Sequence, residues 1–138
     1  DIGLISFPML TGGKGIHVVV PLDPDHDWPQ HKDFAKRFAT ALAMKEPDQY
    51  VATMSKARRR GRIFIDYLRN ERGGTAIAPY SVRARPGAPV AVPVQWSELQ
   101  AIERANRWTV RDELELKRRS KARTLQSWGR ASQVLPDL

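Results

Sequence analysis

A glycine-rich loop that ends in a histidine is the part of this sequence best suited to bind an anion. Residues 11–17 read Thr-Gly-Gly-Lys-Gly-Ile-His and run into an apolar stretch. Glycine lacks a Cβ, so its backbone can approach a phosphate oxygen closely, while Lys14 and His17 supply positive charge and N–H donors. The P-loop pattern is absent. Two simpler explanations stay open: a tight hairpin turn for the loop, and a buried core histidine for His17.

A lone carboxylate interrupts a second apolar run. Residues 62–70 read Arg-Ile-Phe-Ile-Asp-Tyr-Leu-Arg-Asn, which places Asp66 among apolar side chains. A buried carboxylate is costly unless it is paired or bound to a metal. We therefore expect either an ion pair with Arg62 or Arg69, or a hard divalent ion such as Mg²⁺ or Mn²⁺. One aspartate is too few for a two-metal nucleotidyl-transfer site.

A second acidic pair, Asp23 and Asp25, has the spacing of metal ligands. Pro24 between them and Asp27 after them indicate a turn from a strand into a helix. Aspartate is common in such turns because its side chain bonds the local backbone. We therefore interpret this pair as a solvated turn.

The overall charge favours a polyanionic partner. The chain has 138 residues, 41% of them hydrophobic and 28% charged, with a net charge of +8. Nucleic acid is the usual partner of such a basic chain. The positive charge concentrates at residues 56–62 and 117–123, although the second run is also what a solvated helix face looks like.

Several classes of protein are excluded or disfavoured by composition. The absence of cysteine excludes a disulfide framework and a thiolate metal site. No apolar run approaches the roughly 18 residues of a membrane helix, and residues 1–4 lack the basic start of a signal peptide. We expect a cytoplasmic protein that does not associate with a membrane.

The sequence pattern predicts an α+β fold in a single domain over residues 1–138. Strands are expected within residues 3–10 and, buried, at 16–20. Asp27 is the predicted N-cap of a helix that ends near Lys45, with its apolar face formed by Phe34, Phe38 and Leu42.

The second half of the sequence predicts a hairpin followed by helical structure. Residues 63–68 and 75–83 are expected to pair across a turn at 70–74. From Ser97 onwards the pattern is helical, and Thr109 and Asp112 have the spacing of a capping box. The expected architecture is a two-layer arrangement, a mostly antiparallel or mixed sheet with packed helices.

Several motifs in one order resemble the polymerase domains of bacterial ligase D, the non-homologous end-joining enzyme of the archaeo-eukaryotic primase superfamily. They span nearly the whole chain and lie at residues 11–22, Trp28, 34–35, 62–70, 78–85 and 93–99. The resemblance implies the fold of a primase-polymerase catalytic core and template-linked nucleotidyl transfer in DNA repair.

The resemblance also assigns roles to individual residues. It implies that Asp66 is a catalytic metal ligand for Mg²⁺ or Mn²⁺ and that His17 acts on the triphosphate. The remaining assignments are nucleotide binding by Thr11, Lys14, His17, Arg69 and Asn70, and weaker carry-overs at Arg59 and Arg83. The positive charge of the basic run itself predicts nucleic-acid binding by Arg58, Arg59 and Arg60, together with Arg83. The implied partners are nucleoside triphosphates and DNA, either a primer-template or the ends of a double-strand break, at the bacterial nucleoid.

One part of the family pattern is missing. The family carries an Asp-x-Asp metal pair and a basic 5′-phosphate pocket before the glycine loop, and Asp23 and Asp25 come after it. The sequence therefore resembles the C-terminal half of the domain, and we expect weak polymerase activity or none. The alternatives are a non-catalytic nucleotide- or nucleic-acid-binding module, and one half of a split polymerase that needs a separate N-terminal half or a ligase module.

Overall fold

The computed structural model describes residues 1–137, which form two compact units. We call residues 1–23 with 77–133 the hairpin unit, and residues 24–76 with 134–137 the helix unit. The strands are β1 (Phe7–Leu10), β2 (Ile16–Val19), β3 (Tyr50–Val51), β4 (Ile63–Phe64) and β5 (Val92–Pro93), and the α-helices are α1 (Trp28–Lys45) and α2 (Glu113–Ser120). The predicted α+β class is confirmed, whereas the single domain remains a prediction.

The hairpin unit contains an antiparallel sheet with the strand order β2-β1-β5. In the β1–β2 pair Phe7 lies opposite Val19 and Leu10 opposite Ile16, so the glycine-rich residues 11–15 form the connection. The buried core beneath the sheet consists of Leu10, Val90, Val92, Val94, Trp108 and Leu116. The loop therefore leaves directly from a packed core strand.

Residues 124–133 hold both ends of this hairpin. The indole Nε1–H of Trp128 donates to the carbonyl oxygen of Pro8 at 2.9 Å. The Gln133 side-chain amide donates to the carbonyl oxygens of Ile5 at 2.9 Å and Pro21 at 2.8 Å, and its Oε1 accepts from the Ile5 N–H at 2.8 Å. One glutamine thus bonds the chain before β1 and the chain after β2 and ties the open end of the hairpin together.

The helix unit is built on α1, whose start and end follow the sequence. Asp27 accepts from the Gln30 backbone N–H at 2.9 Å, and the Gln30 side chain accepts from the Asp27 N–H at 2.8 Å. This reciprocal cap satisfies two N–H groups that the first turn leaves unbonded. Phe34 is buried as predicted, but Phe38 is 39% exposed.

The predicted hairpin between residues 63–68 and 75–83 is wrong. Ile63 and Phe64 pair instead in parallel with Tyr50 and Val51, because the Ile63 N–H donates to Gln49 and the Ile65 N–H to Val51. Residues 65–79 form no strand, and backbone hydrogen bonds within residues 67–74 close turns there.

The helical tail is confirmed in part. Three short 3₁₀ turns flank α2, at Trp96–Ala101, Val110–Asp112 and Arg123–Leu125. The Thr109 N–H donates to Asp112 Oδ2 at 2.8 Å, which confirms the capping box. Among residues 1–137, no helix combines the length and apolar character needed to cross a bilayer.

Candidate functional site

The glycine loop is a rigid, internally bonded turn. The Thr11 side chain is buried, and its hydroxyl donates to the Gly15 carbonyl oxygen at 2.8 Å while accepting from the Gly13 N–H at 3.1 Å. Gly12 has a φ of +73° and donates to the Ala105 carbonyl oxygen at 3.0 Å. The threonine hydroxyl therefore fixes the shape of the loop from within.

Two arginines lie against this loop. The Arg83 Nη1 donates to the Thr11 carbonyl oxygen at 3.2 Å. A Cβ added to Gly13 would come within 2.5 Å of Arg85 Nη1, so the absence of a side chain leaves room for that guanidinium. Lys14 is exposed on the same loop. The result is a cationic surface around a backbone turn, which suits phosphate oxygens.

Arg85 is the residue that sequence reasoning missed. It lies in the 78–85 motif, two residues after Arg83, but it received no role. Its closeness to Arg83 in the same motif was the available signal, although the chain bends between them, where the Arg85 N–H donates to the Arg83 carbonyl oxygen at 2.9 Å. Their shared target, the loop at residues 11–15, is a tertiary contact that the sequence does not show.

The expectation that β2 is buried is wrong. β2 is the edge strand, with Ile16 43% and Val18 53% exposed, while His17 and Val19 alternate with them and are half-buried. His17 lies opposite Met9 in the β1–β2 register. Thr11, Lys14 and His17 therefore belong to one β-hairpin.

Asp66, Arg69 and Asn70 lie in the helix unit, in an exposed segment after β4. Asp66 accepts from the Leu68 N–H at 3.0 Å, Arg69 donates to the Thr75 carbonyl oxygen at 3.2 Å, and the Asn70 amide donates to the Tyr67 carbonyl oxygen at 3.0 Å. The expectation that Asp66 lies within a strand is wrong because the strand ends at Phe64.

The metal-ligand set around Asp66 is not assembled by the described chain. Over residues 1–137, no three His, Asp or Glu side chains are grouped to hold a metal ion, and no ion pair joins Asp66 to Arg62 or Arg69 within that range. A single exposed carboxylate does not fix the coordination that Mg²⁺ requires. These residues alone therefore do not fit a complete metal site.

Asp25 is exposed as the solvated-turn interpretation predicts, whereas Asp23 is half-buried and bonded to residues 132 and 133. Asp23 Oδ2 accepts from the Ser132 hydroxyl at 2.8 Å. Asp25 is exposed and lies 3.9 Å from His26 Nδ1. Asp27 caps α1, so Asp27 serves local structure while Asp23 makes a long-range contact.

The basic segment at residues 58–60 divides into two exposed cations and one packed cation. Arg58 and Arg60 are exposed. Arg59 lies over the Phe64 ring, with 4.4 Å between its guanidinium carbon and the ring centroid. Arg59 thus contributes a cation–π contact to its own unit.

The second basic run, residues 117–123, also contains an inward-facing member. Arg119 donates to both carboxylate oxygens of Glu98 at 2.8 and 3.1 Å and to the Pro93 carbonyl oxygen at 3.0 Å, and it packs 4.5 Å from the Trp108 ring. Its hydrogen bond holds the pKa of Glu98 below the ordinary value of that carboxyl. Lys117, paired with Glu113 at 2.7 Å, stays exposed with most of the run.

Comparison with known proteins agrees with these motifs. The family described as "LigD, primase-polymerase domain" matches residues 1–123. The chain belongs to this family. The LigD fold is also shown in three dimensions: 94% of the chain superimposes on 44% of a solved chain described as the polymerase domain from Mycobacterium tuberculosis ligase D in complex with DNA, with a TM-score of 0.80 and 34% identity. The α+β architecture of a primase-polymerase core is thereby confirmed.

Curated LigD relatives align with most of this chain. The "Multifunctional non-homologous end joining protein LigD" of Pseudomonas aeruginosa is 46% identical over 111 residues, which is 80% of this chain and 13% of that protein. The "Bifunctional non-homologous end joining protein LigD" of Bacillus subtilis is 31% identical over 100 residues, 72% of this chain and 16% of that protein. The chain therefore corresponds to a small part of these LigD proteins.

Proposed function

We propose that this chain binds the triphosphate of a nucleoside triphosphate at its glycine loop, as part of a LigD-type polymerase in DNA end joining. The arrangement of Arg83 and Arg85 against the loop carries the proposal. Family membership and the end-joining names of the relatives support the polymerase context. The primase-polymerase name of the family supports nucleotidyl transfer as the reaction, and the loop supplies cationic groups for its anionic substrate.

Each residue around the loop contributes differently to triphosphate binding. Lys14 is an exposed point charge, and Arg85 offers a planar fork of N–H donors that matches phosphate oxygens. Thr11 and Gly13 hold the backbone in place, so little ordering entropy is lost when the anion binds. His17 is positioned by the same hairpin, and nucleotide binding by Arg69 and Asn70 of the helix unit stays a prediction.

DNA is the proposed second ligand. The solved polymerase domain that this chain resembles is in complex with DNA, and the chain carries a net charge of +8. Arg58 and Arg60 are exposed and available for phosphates, whereas Arg59 is partly used by Phe64. We expect binding that tolerates sequence and weakens with salt, because phosphate contacts release condensed counterions.

Divalent metal, Mg²⁺ or Mn²⁺, is proposed as the cofactor, with Asp66 as one oxygen ligand. When bound, such a metal would stabilise negative charge on the transferring phosphate. Because residues 1–137 group no three His, Asp or Glu side chains around an ion, the chain by itself is expected to bind nucleotide and to extend primers poorly. That shortage favours a non-catalytic binding role for the isolated chain.

Calorimetric titration with a nucleoside triphosphate tests the binding proposal. Arg85→Ala is expected to weaken affinity by about 1.5–3 kcal/mol, the range for hydrogen bonds to charged groups. Arg104→Ala is the matched control, because it removes the same charge from an exposed position of the same unit. Equal affinities for the two variants would show that net charge, and not the loop, binds the nucleotide.

Primer extension with Mn²⁺ tests the catalytic part. The 138-residue chain is expected to give little product, and addition of a polypeptide that supplies an Asp-x-Asp pair is expected to raise it if the two assemble. If the chain alone extends primers robustly and Asp66→Ala abolishes this activity, the expectation that the chain has too few metal ligands for catalysis is wrong.

A further inference from the structure

A cavity lies in the hairpin unit, at the other end of β1 from the glycine loop. Its volume is about 350 Å³, and its walls are the start of β1, the 3₁₀ turn at Trp96–Ala101 and residues 124–128. β1 runs from Phe7 at this cavity to Leu10 at the loop, which is about 10 Å of extended strand. The cavity is therefore separate from the proposed triphosphate site.

Three aromatic rings line the cavity and are held in place. The Trp96 Nε1–H donates to the Ser6 carbonyl oxygen at 2.9 Å, and the Trp128 Nε1–H donates to Pro8. The Phe7 and Trp128 rings pack with their centroids 5.8 Å apart. Since both indole N–H groups already have partners, what the tryptophans present to a ligand is their apolar ring surface.

Trp96 is unusually exposed for a restrained indole. It is 47% exposed, although its N–H is bonded and its position is fixed by the 3₁₀ turn. A flat, preorganised aromatic face of this kind loses little entropy when another ring stacks on it. The surrounding Ser6, Ser97 and Ser127 side chains add hydroxyl groups at the cavity.

The cavity wall continues directly into the second basic run. The Gln95 side-chain amide donates to the Thr124 carbonyl oxygen at 2.7 Å, and Thr124 directly follows Arg123 in the chain. Arg123 and Lys121 are exposed, whereas Arg119 points inward. Aromatic faces beside exposed cations are the combination that binds single-stranded nucleic acid, with stacked bases and neutralised phosphates.

We propose that this cavity binds an unpaired base of single-stranded DNA. Trp96 is the stacking platform, and Lys121 and Arg123 lie close in the chain to the cavity wall and neutralise the flanking phosphates. The proposal adds to the triphosphate site a second contact, which would hold an unpaired strand while the glycine loop holds a nucleotide.

Fluorescence anisotropy with a labelled oligothymidylate tests this base site in the full 138-residue chain. Trp96→Ala is expected to weaken binding roughly 5- to 100-fold, the loss for one stacked base. Trp28→Ala is the control, because Trp28 is 54% exposed but lies in the helix unit, and it is expected to stay within about twofold of wild type. Equal effects of the two substitutions would overturn the proposal.

An abasic strand separates loss of stacking from loss of folding. Wild type should bind the abasic strand more weakly than oligothymidylate, and Trp96→Ala should abolish that difference. Trp96→Phe, which keeps an aromatic face, should restore much of it, while Arg123→Ala should reduce the salt slope by about 0.7. If Trp96→Ala keeps full preference for the base-bearing strand, the cavity is not a base site.

Triphosphate titration of Trp96→Ala separates the two proposals. The variant is expected to keep wild-type triphosphate affinity, because about 10 Å of β1 lies between cavity and loop. Strand binding that depends on Trp96 without any triphosphate binding would overturn the proposed function and leave the base site standing. Loss of both affinities together would overturn the independence of the base site.

Discussion

The two units hold their candidate residues in different ways. In the hairpin unit the glycine loop is bonded internally by Thr11, contacted by Arg83 and anchored through Gln133 at both ends of the hairpin. In the helix unit Asp66 is exposed, and it accepts a hydrogen bond from the Leu68 N–H, two residues away. Long-range contacts hold the glycine loop, whereas the hydrogen bond that the Asp66 carboxylate accepts is local.

This difference has a consequence for chemistry. A preorganised group binds its ligand without an ordering cost, while an exposed carboxylate on a locally bonded turn must be ordered when it binds. Nucleotide binding is therefore expected to survive in the chain by itself, and metal-dependent transfer is expected to require further ligands. The contrast can be tested through stability, since the same long-range contacts should make the hairpin unit more sensitive to substitution.

Arg119→Met is the substitution with the largest expected effect. The Arg119 side chain is 15% exposed, and removal of its guanidinium would leave the Glu98 carboxylate, which is 30% exposed, without this partner. Breaking a buried pair costs about 3–5 kcal/mol, and partial exposure places this pair near about 3 kcal/mol. Urea unfolding measures this loss in the free energy of unfolding. Lys117→Met, at an exposed pair on the same helix, is the control, and an equal loss there would contradict the distinction.

Gly12→Ala should cause the next largest loss of folding stability. Gly12 has positive φ, and an added Cβ would lie 3.1 Å from Arg83 Cγ and 3.2 Å from the Val90 carbonyl oxygen, so we expect a loss of about 2 kcal/mol. Gly73→Ala, also at positive φ but with nothing within 4 Å of the new Cβ, should cost about 1 kcal/mol in the helix unit. If urea unfolding shows a larger loss of stability for Gly73→Ala than for Gly12→Ala, the hairpin unit is not the more sensitive of the two.

Acid should weaken the hairpin unit through Glu98. The Arg119 hydrogen bond lowers the pKa of Glu98 in the folded chain below its ordinary value of 4.5. This stabilisation is fully present above pH 4.5 and is lost as the pH falls through the lowered pKa of the folded state. Glu98→Gln should therefore flatten the pH dependence of the unfolding free energy below pH 4.5, and an unchanged slope would argue against the pair.

Glu71→Gln should have the smallest effect. Glu71 pairs with Lys32 in the helix unit, where the side chains are 50% and 36% exposed. Such pairs contribute about 0.2–1 kcal/mol and are screened by salt. Thermal unfolding at low and high salt measures the difference, which should shrink with salt. A loss as large as that of Arg119→Met would show that the helix unit is also held by ion pairs.

The sequence by itself determined the features that depend on neighbouring residues. Asp27 and Gln30 cap α1, Lys45 ends it, and Thr109 caps the turn before α2, because each signal acts over three or four residues. The glycine loop and the order of motifs were also sufficient to indicate the LigD family, since several short motifs in a fixed order are specific.

Only the tertiary structure decided which distant segments meet. The apolar run at residues 63–68 was predicted to form a hairpin, but its first residues pair in parallel with β3. Arg119 looked like part of a solvated basic face, but Glu98 and Trp108 turn it inward. The Arg85 guanidinium lies against Gly13, more than 70 residues away, where the missing side chain leaves room for it. Such choices depend on hydrogen-bond partners and packing surfaces that only the folded chain brings together.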